Sequence, residues 1–311
     1  MNRLPPFATV RFERLVFPML ALLCTAGCGT HHVSAQVPPA PAGTSAATQP
    51  APAPAPAPAP ATPPGTTRTL EGTDRRLAEA LLRATAFPSA DTHRAVAIEY
   101  RRLGVLDKAF DHFADAVADD AADAVSHEGM ARIWRDWGMP QLGLGAAYRA
   151  VHYAPESAAA ANTLGTLLQA VGHLPEAESW YGKARTLDPK AWYALNNICY
   201  VQILRRQPTA VGICQRAAAE AGPDARTPEN NLALALAARG DMPAAKQWFR
   251  RANEPAVAAY NYGITLMATR DYAGAVDAFT EALTDEPTSR LAAARVRQAH
   301  AAEQRHKESS R

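Results

Sequence analysis

Residues 158–191 read AAAANTLGTLLQAVGHLPEAESWYGKARTLDPKA, and the fold follows from this stretch. Leu164, Gly165 and Leu168 fall at helical spacing in its first half, and Ala177, Tyr181 and Ala184 do so in its second. Gly172 separates the halves, where glycine accepts the positive φ of a tight turn. Pro189 cannot continue a helix and ends the unit. The stretch therefore reads as two antiparallel helices. Gly165 and Ala177 are small enough for the helices to approach closely, Leu168 and Tyr181 fill the space beside that contact, and Ala184 lets a following pair stack.

The same unit recurs on both sides. Gly104, Gly138 and Gly172 stand 34 residues apart, and Gly240 lies two further periods on. Pro155, Pro189 and Pro223 keep the same spacing, as do Asn162, Asn196 and Asn230, and Leu164, Ile198 and Leu232. Four registers with one period make a tandem array of helix pairs. The copies are predicted at 90–123, 124–157, 158–191, 192–225, 226–255 and 256–289. The copy at 192–225 departs most: Gln202 replaces a large apolar residue, Pro208 falls in the turn, and the Ala210, Cys214, Ala217 register runs one residue short. A helix within 70–89 is expected to pack on the first copy. Residues 290–311 are expected to form a capping helix and tail, with Leu291, Ala294 and Ala299 inward and Arg295, Arg297, Arg305 and Lys307 outward.

A 34-residue helix–turn–helix with these residues closely resembles the tetratricopeptide repeat. The resemblance covers about two hundred residues. It implies an all-α class, a right-handed superhelix (an α-solenoid) of about six pairs, in which the first helices line a concave groove that holds protein partners.

The N-terminus has a different character. Arg3, Arg11 and Arg14 precede the apolar run Leu15–Leu23, and small residues follow, the pattern of a signal peptide over 1–27. Ala26-Gly27-Cys28 resembles the lipobox of bacterial lipoproteins, which implies lipidation at Cys28 and export; an ordinary cleaved or uncleaved signal peptide is the alternative. Thr25 stands where that family usually has leucine. Residues 28–69 are Pro/Ala-rich, cannot propagate a helix or a sheet ladder, and read as a disordered tether. Some forty extended residues at about 3.1 Å each would span on the order of 100 Å. The resemblance implies a lipid-anchored, periplasm-facing protein, with the outer membrane as the expected site.

Composition and motifs point away from chemistry. The chain carries 32 Lys and Arg against 30 Asp and Glu, and removal of 1–27 leaves 29 of each, which gives no footprint for nucleic acid. No zinc-protease, nucleophile-elbow, phosphate-loop or calcium-loop motif occurs. The expectation is a non-catalytic scaffold without cofactor, metal or small-molecule substrate. His112 lies near Asp111 and Asp115 but lacks a fourth ligand, and reads as a surface histidine. Asp107, Asp111, Asp115 and Asp119 make a stripe at spacing four, either a site for cations or a basic partner, or a solvated convex face.

The candidate binding residues lie on the first helices. Asn197, Asn231 and Asn261 hold one place in three successive copies, with Asn162, Tyr200 and Tyr260 nearby. Asparagines there resemble the ladder by which some relatives hold a peptide backbone, since an amide both donates and accepts; they are also common at this place without a ligand. Arg94, Arg101, Arg102, Arg132 and Arg135 do not match the clamp of the chaperone-binding relatives, yet suit an acidic segment or a carboxylate terminus. Cys199 and Cys214 are either a disulfide or two small core residues. The segments Asn196–Tyr200, Asn230–Leu234 and Tyr260–Gly263 are similar to the tight-adherence (Flp) pilus assembly lipoproteins. A structural spacer or self-assembling scaffold is the alternative function.

Overall fold

The computed structural model describes residues 74–222 and 225–309. The expected signal peptide, Cys28 and the tether lie outside the described residues. The described residues form fourteen helices. Helix α1 is Arg75–Ala86. The pairs that follow are α2 Ala90–Arg102 with α3 Leu106–Asp119, α4 Ala124–Asp136 with α5 Pro140–Tyr153, and α6 Ala158–Ala170 with α7 Leu174–Leu187. Then come α8 Trp192–Leu204 with α9 Ala210–Ala221, α10 Arg226–Ala238 with α11 Met242–Ala252, and α12 Pro255–Ala268 with α13 Tyr272–Asp285. Helix α14, Arg290–Ser309, closes the described chain.

Local chemistry sets these boundaries. The Asp123 carboxylate accepts from the Val125 and Ser126 amides at the start of α4, and Ser157 accepts from Ala160 at the start of α6. Ser89 and Thr92 make a reciprocal capping box for α2. Proline opens α5 and α12, where its missing N–H costs nothing. Each pair turns through one left-handed residue. Glycine supplies it at 104, 138, 172 and 240, while Arg206 (φ 53°) and Arg270 (φ 65°) adopt it in the other two pairs. A side chain in that region costs about 1–2 kcal/mol, so stacking on both sides must hold these two turns.

In four of the six pairs a small residue on the first helix faces a ring on the second, while in α4–α5 the buried Ala131 and Ala147 hold these two places. A Cβ added to Gly165 would lie 2.6 Å from the Tyr181 ring, and one added to Gly263 would lie 2.7 Å from Phe279. Ala97 and Phe113, and Ala233 and Phe249, repeat this pairing, and all four are buried. Each buried ring contributes roughly 1.5–3 kcal/mol. The pair α8–α9 differs. Cys199 takes the small residue's place and Cys214 stands where a ring would be, and the two form a disulfide with Cα atoms 4.9 Å apart. Gln202, in the same copy, is held by hydrogen bonds to Glu178 (2.9 Å) and from Thr209 (3.0 Å).

Helix α1 covers the first pair through Leu77, Ala80 and Ala84, which join Val96, Ala97 and Tyr100 in one core. At the other end α14 sits rotated from the sequence expectation. Ala292 (1% exposed) and Ala299 are buried, whereas Leu291 is 41% exposed and Ala294 is exposed. Arg295 turns inward to Tyr260 instead of outward. The helix thereby continues the polar register of the preceding first helices, described next.

Candidate functional site

The first helices α2, α4, α6, α8 and α10 pack one on the next, as do α12 and α14 at the end of the series through side-chain bonds. They make one continuous face carrying a ladder of polar side chains. Each rung joins a residue on one first helix to a residue on the next. Thr163 Oγ1 donates to Glu128 Oε1 (2.8 Å). Asn197 Nδ2 donates to Asn162 Oδ1 (2.9 Å), Asn231 Nδ2 to Asn196 Oδ1 (2.9 Å), and Asn261 Nδ2 to Asn230 Oδ1 (3.0 Å). Arg295 Nε donates to Tyr260 Oη (3.3 Å). Four rungs span 35 residues; the Asn230 rung spans 31, because α12 begins early.

Each asparagine of the ladder spends one hydrogen bond on its neighbour in the next repeat, so the ladder ties successive repeats. Asn196 (7% exposed) and Asn231 (8%) are buried, and so is Tyr260, which packs on Phe279. Asn162, Asn197, Asn261 and Tyr200 stay half-buried on the same face. Burial pushes the Tyr200 phenol up. The spacing of the asparagines was readable in the sequence, but not that each would spend one hydrogen bond on its neighbour. The pairing becomes visible once residues are compared at 35 rather than 34.

The arginines separate into two sets. Arg94 is tied to Asp91 and to Asp123 (2.7 Å), and Arg102 to Asp74 (2.5 Å) and Glu99 (2.6 Å). The second set converges where α2, α4 and α6 meet. Arg132 pairs with Glu128 (2.5 Å) and donates to Thr163 (3.1 Å), and Arg135 pairs with Asp136 (3.0 Å) and donates to Thr166 (3.1 Å). Arg101 lies within their field. Burial holds its guanidinium below the usual range, the Arg132 charge adds to this, and Asp136 and Glu128 oppose it. The Tyr193 phenol is raised by burial and by Asp188, and feels Arg132 and Glu128 from α8. Three cations against two carboxylates leave this part of the face with an excess of positive charge, partly desolvated.

The histidine expectation also changes. His112 is half-buried, with its Nδ1 edge toward the ring of His93 (centroids 5.6 Å) and stacked with Tyr100 (5.7 Å). It is therefore no surface residue. His93, on the facing helix, went unnoticed in the sequence because it lies 19 residues away, across the turn at Gly104.

With this geometry established, comparison with known proteins places the fold. The tetratricopeptide repeat family profile matches residues 157–187. The crystal structure of the Cut9–Hcn1 hetero-tetramer of APC/C is similar with a TM-score of 0.61 and 17% identity, over 74% of this chain and 46% of that one. The chain thus spans about half the length of that relative. PilW, described as a widely conserved type IV pilus biogenesis factor, is similar with a TM-score of 0.58 and 18% identity, over 67% of this chain and 97% of that one. Pseudomonas aeruginosa PilF gives 0.53 and 16%, over 72% and 98%. No curated protein matches the sequence. At these identities the likeness is one of fold. The chain is an all-helical array of sequential pairs with the tetratricopeptide-repeat fold, and the family profile itself matches one unit of it.

Proposed function

We propose that the protein is a protein-interaction scaffold whose first-helix face receives an acidic segment of a partner at Arg101, Arg132 and Arg135. The observation behind this reading is the excess of positive charge where α2, α4 and α6 meet, with Arg101 destabilised by burial and by Arg132. An anion seated there relieves that repulsion, and planar guanidinium groups recognise carboxylates bidentately. Tyr193, at the edge of the cluster, offers amphipathic contact area. Tetratricopeptide arrays bind peptides in the groove of their first helices, which supports the choice of face. The ladder asparagines then set the spacing of the repeats and do not grip the ligand.

The scaffold works at the cell envelope in this reading. Cys28 is its lipid anchor, and residues 28–69 are the tether that lets the array reach its partner. Assembly of a pilus or secretion complex is the process it serves, a choice supported by the sequence likeness to pilus-assembly lipoproteins and by the naming of PilW as a pilus biogenesis factor.

The test is fluorescence anisotropy with a labelled Asp/Glu-rich peptide and its Asn/Gln counterpart, against wild type and Arg101→Gln. The acidic peptide should bind, weaken with added salt, and lose about ten-fold in affinity in the variant, since a charged hydrogen bond is worth roughly 1.5–3 kcal/mol. Equal binding of the neutral peptide, or no effect of Arg101→Gln, sinks the site. For the anchor, Cys28→Ser should move the protein out of the membrane fraction of the cell of origin; retention there rejects lipidation at Cys28.

A further inference from the structure

We propose that His93, His112 and Asp115 form a binding site for a divalent transition metal of the zinc class, joining the two helices of the first pair. The site is independent of the arginine cluster. His93 comes from α2, and His112 and Asp115 come from α3, one helical turn apart. The His93 and His112 Nδ1 atoms lie 3.3 Å apart, and each lies 3.7 Å from Asp115 Oδ2. The three donors thus form one small triangle. Its centre lies about 2.1 Å from every corner, the length of a zinc–imidazole or zinc–carboxylate bond. Two histidines and one carboxylate are a ligand set found in zinc sites, with water completing the shell.

The surroundings favour the same reading. Asp119 Oδ2 lies 4.0 Å from His93 Nε2, on the far side of the ring from the triangle. At that separation the carboxylate acts through its charge and not through a hydrogen bond; it favours the proton on Nε2 and so the lone pair on Nδ1, as outer carboxylates do for metal-bound histidines. The buried Tyr100 ring stacks on His112 and fixes its plane. Both rings are about four-fifths buried, whereas the Asp115 side chain is 56% exposed, so an ion has an open route in. The acidic stripe is thus more than a solvated face, because two of its four members address the histidines. Without a metal, two neutral rings at this distance share a single proton between the Nδ1 atoms, and the site is then a hydrogen bond only.

The experiment uses the full chain, freed of metal with a chelator, and titrates zinc by calorimetry and cobalt by visible absorption. His31, His32, Cys24 and Cys28 are further potential donors, so the site is read as the difference between wild type and variants. Wild type should bind one more zinc per chain than His93→Ala or His112→Ala, with cobalt giving the intense absorption of tetrahedral coordination. Asp119→Asn should weaken binding about ten-fold. Magnesium and calcium should not compete. Asp115→Asn alters an exposed side chain and leaves the fold intact, so loss of zinc there separates ligation from misfolding. Zinc binding that is identical in wild type, His93→Ala and Asp115→Asn, or absent in all, overturns the proposal and leaves the shared proton.

Discussion

Replacing Asn231 by alanine tests whether the polar ladder holds the repeats together. Its Nδ2 donates to Asn196 Oδ1 at 2.9 Å, and both residues are buried. The net hydrogen bond is worth about 1 kcal/mol, and the stranded Asn196 oxygen adds roughly 1–3 kcal/mol because water does not reach it easily. A loss of about 2 kcal/mol is expected. Asn197→Ala breaks a bond of equal length to Asn162, but both partners are half-buried and solvent replaces the lost contact, so about 0.5–1 kcal/mol is expected there. The double variant Asn196→Ala/Asn231→Ala removes donor and acceptor together. It should cost less than the sum of the singles by about 1 kcal/mol. Urea unfolding followed by circular dichroism reads these differences, analysed with nearest-neighbour terms because each repeat touches only its neighbours. If Asn231→Ala is no more costly than Asn197→Ala, or if the double variant is additive, the ladder is not a structural tie. Any loss of peptide binding in these variants should follow their loss of folding, and should disappear at a temperature where both are folded.

Two further outcomes follow from single sites. Reduction, or Cys199→Ala/Cys214→Ala, should destabilise the α8–α9 pair by up to about 3 kcal/mol, the chain-entropy value for a 15-residue loop; equal melting temperatures with and without reductant would exclude this. His127 is buried, with Nε2 on the Ala121 carbonyl and Nδ1 without a partner among the described residues. Burial pushes its pKa below the ordinary 6.5. The unfolded chain therefore takes up the proton first, so this contribution is complete above pH 6.5 and fades as pH falls from there through the folded value. Melting temperature should drop from pH 7 to 5 in wild type and drop less in His127→Gln; equal slopes refute it.

Much of the fold was legible because it is written locally. Glycines 34 residues apart, capping side chains before α2, α4 and α6 and prolines at helix starts act within a few residues of themselves, so period and pairing could be read directly. Where the local signal failed, the structure shows what replaced it. Arg206 and Arg270 take the glycine turn under the constraint of their neighbours. Cys199 and Cys214 fill the place of a small residue and a ring. Helix α14 turns Arg295 inward, because Tyr260 offers the next rung of the ladder.

The sequence by itself determined the class, the number of pairs and their order, since helical periodicity and turn residues depend on neighbours along the chain. The tertiary structure alone decided which side chains meet across 19, 31 or 35 residues: His93 with His112, and each asparagine with the next. Such contacts depend on how far each helix is rotated against its neighbour. A rotation of one residue, about 100°, exchanges a buried donor for an exposed one, and a repeat period does not specify it.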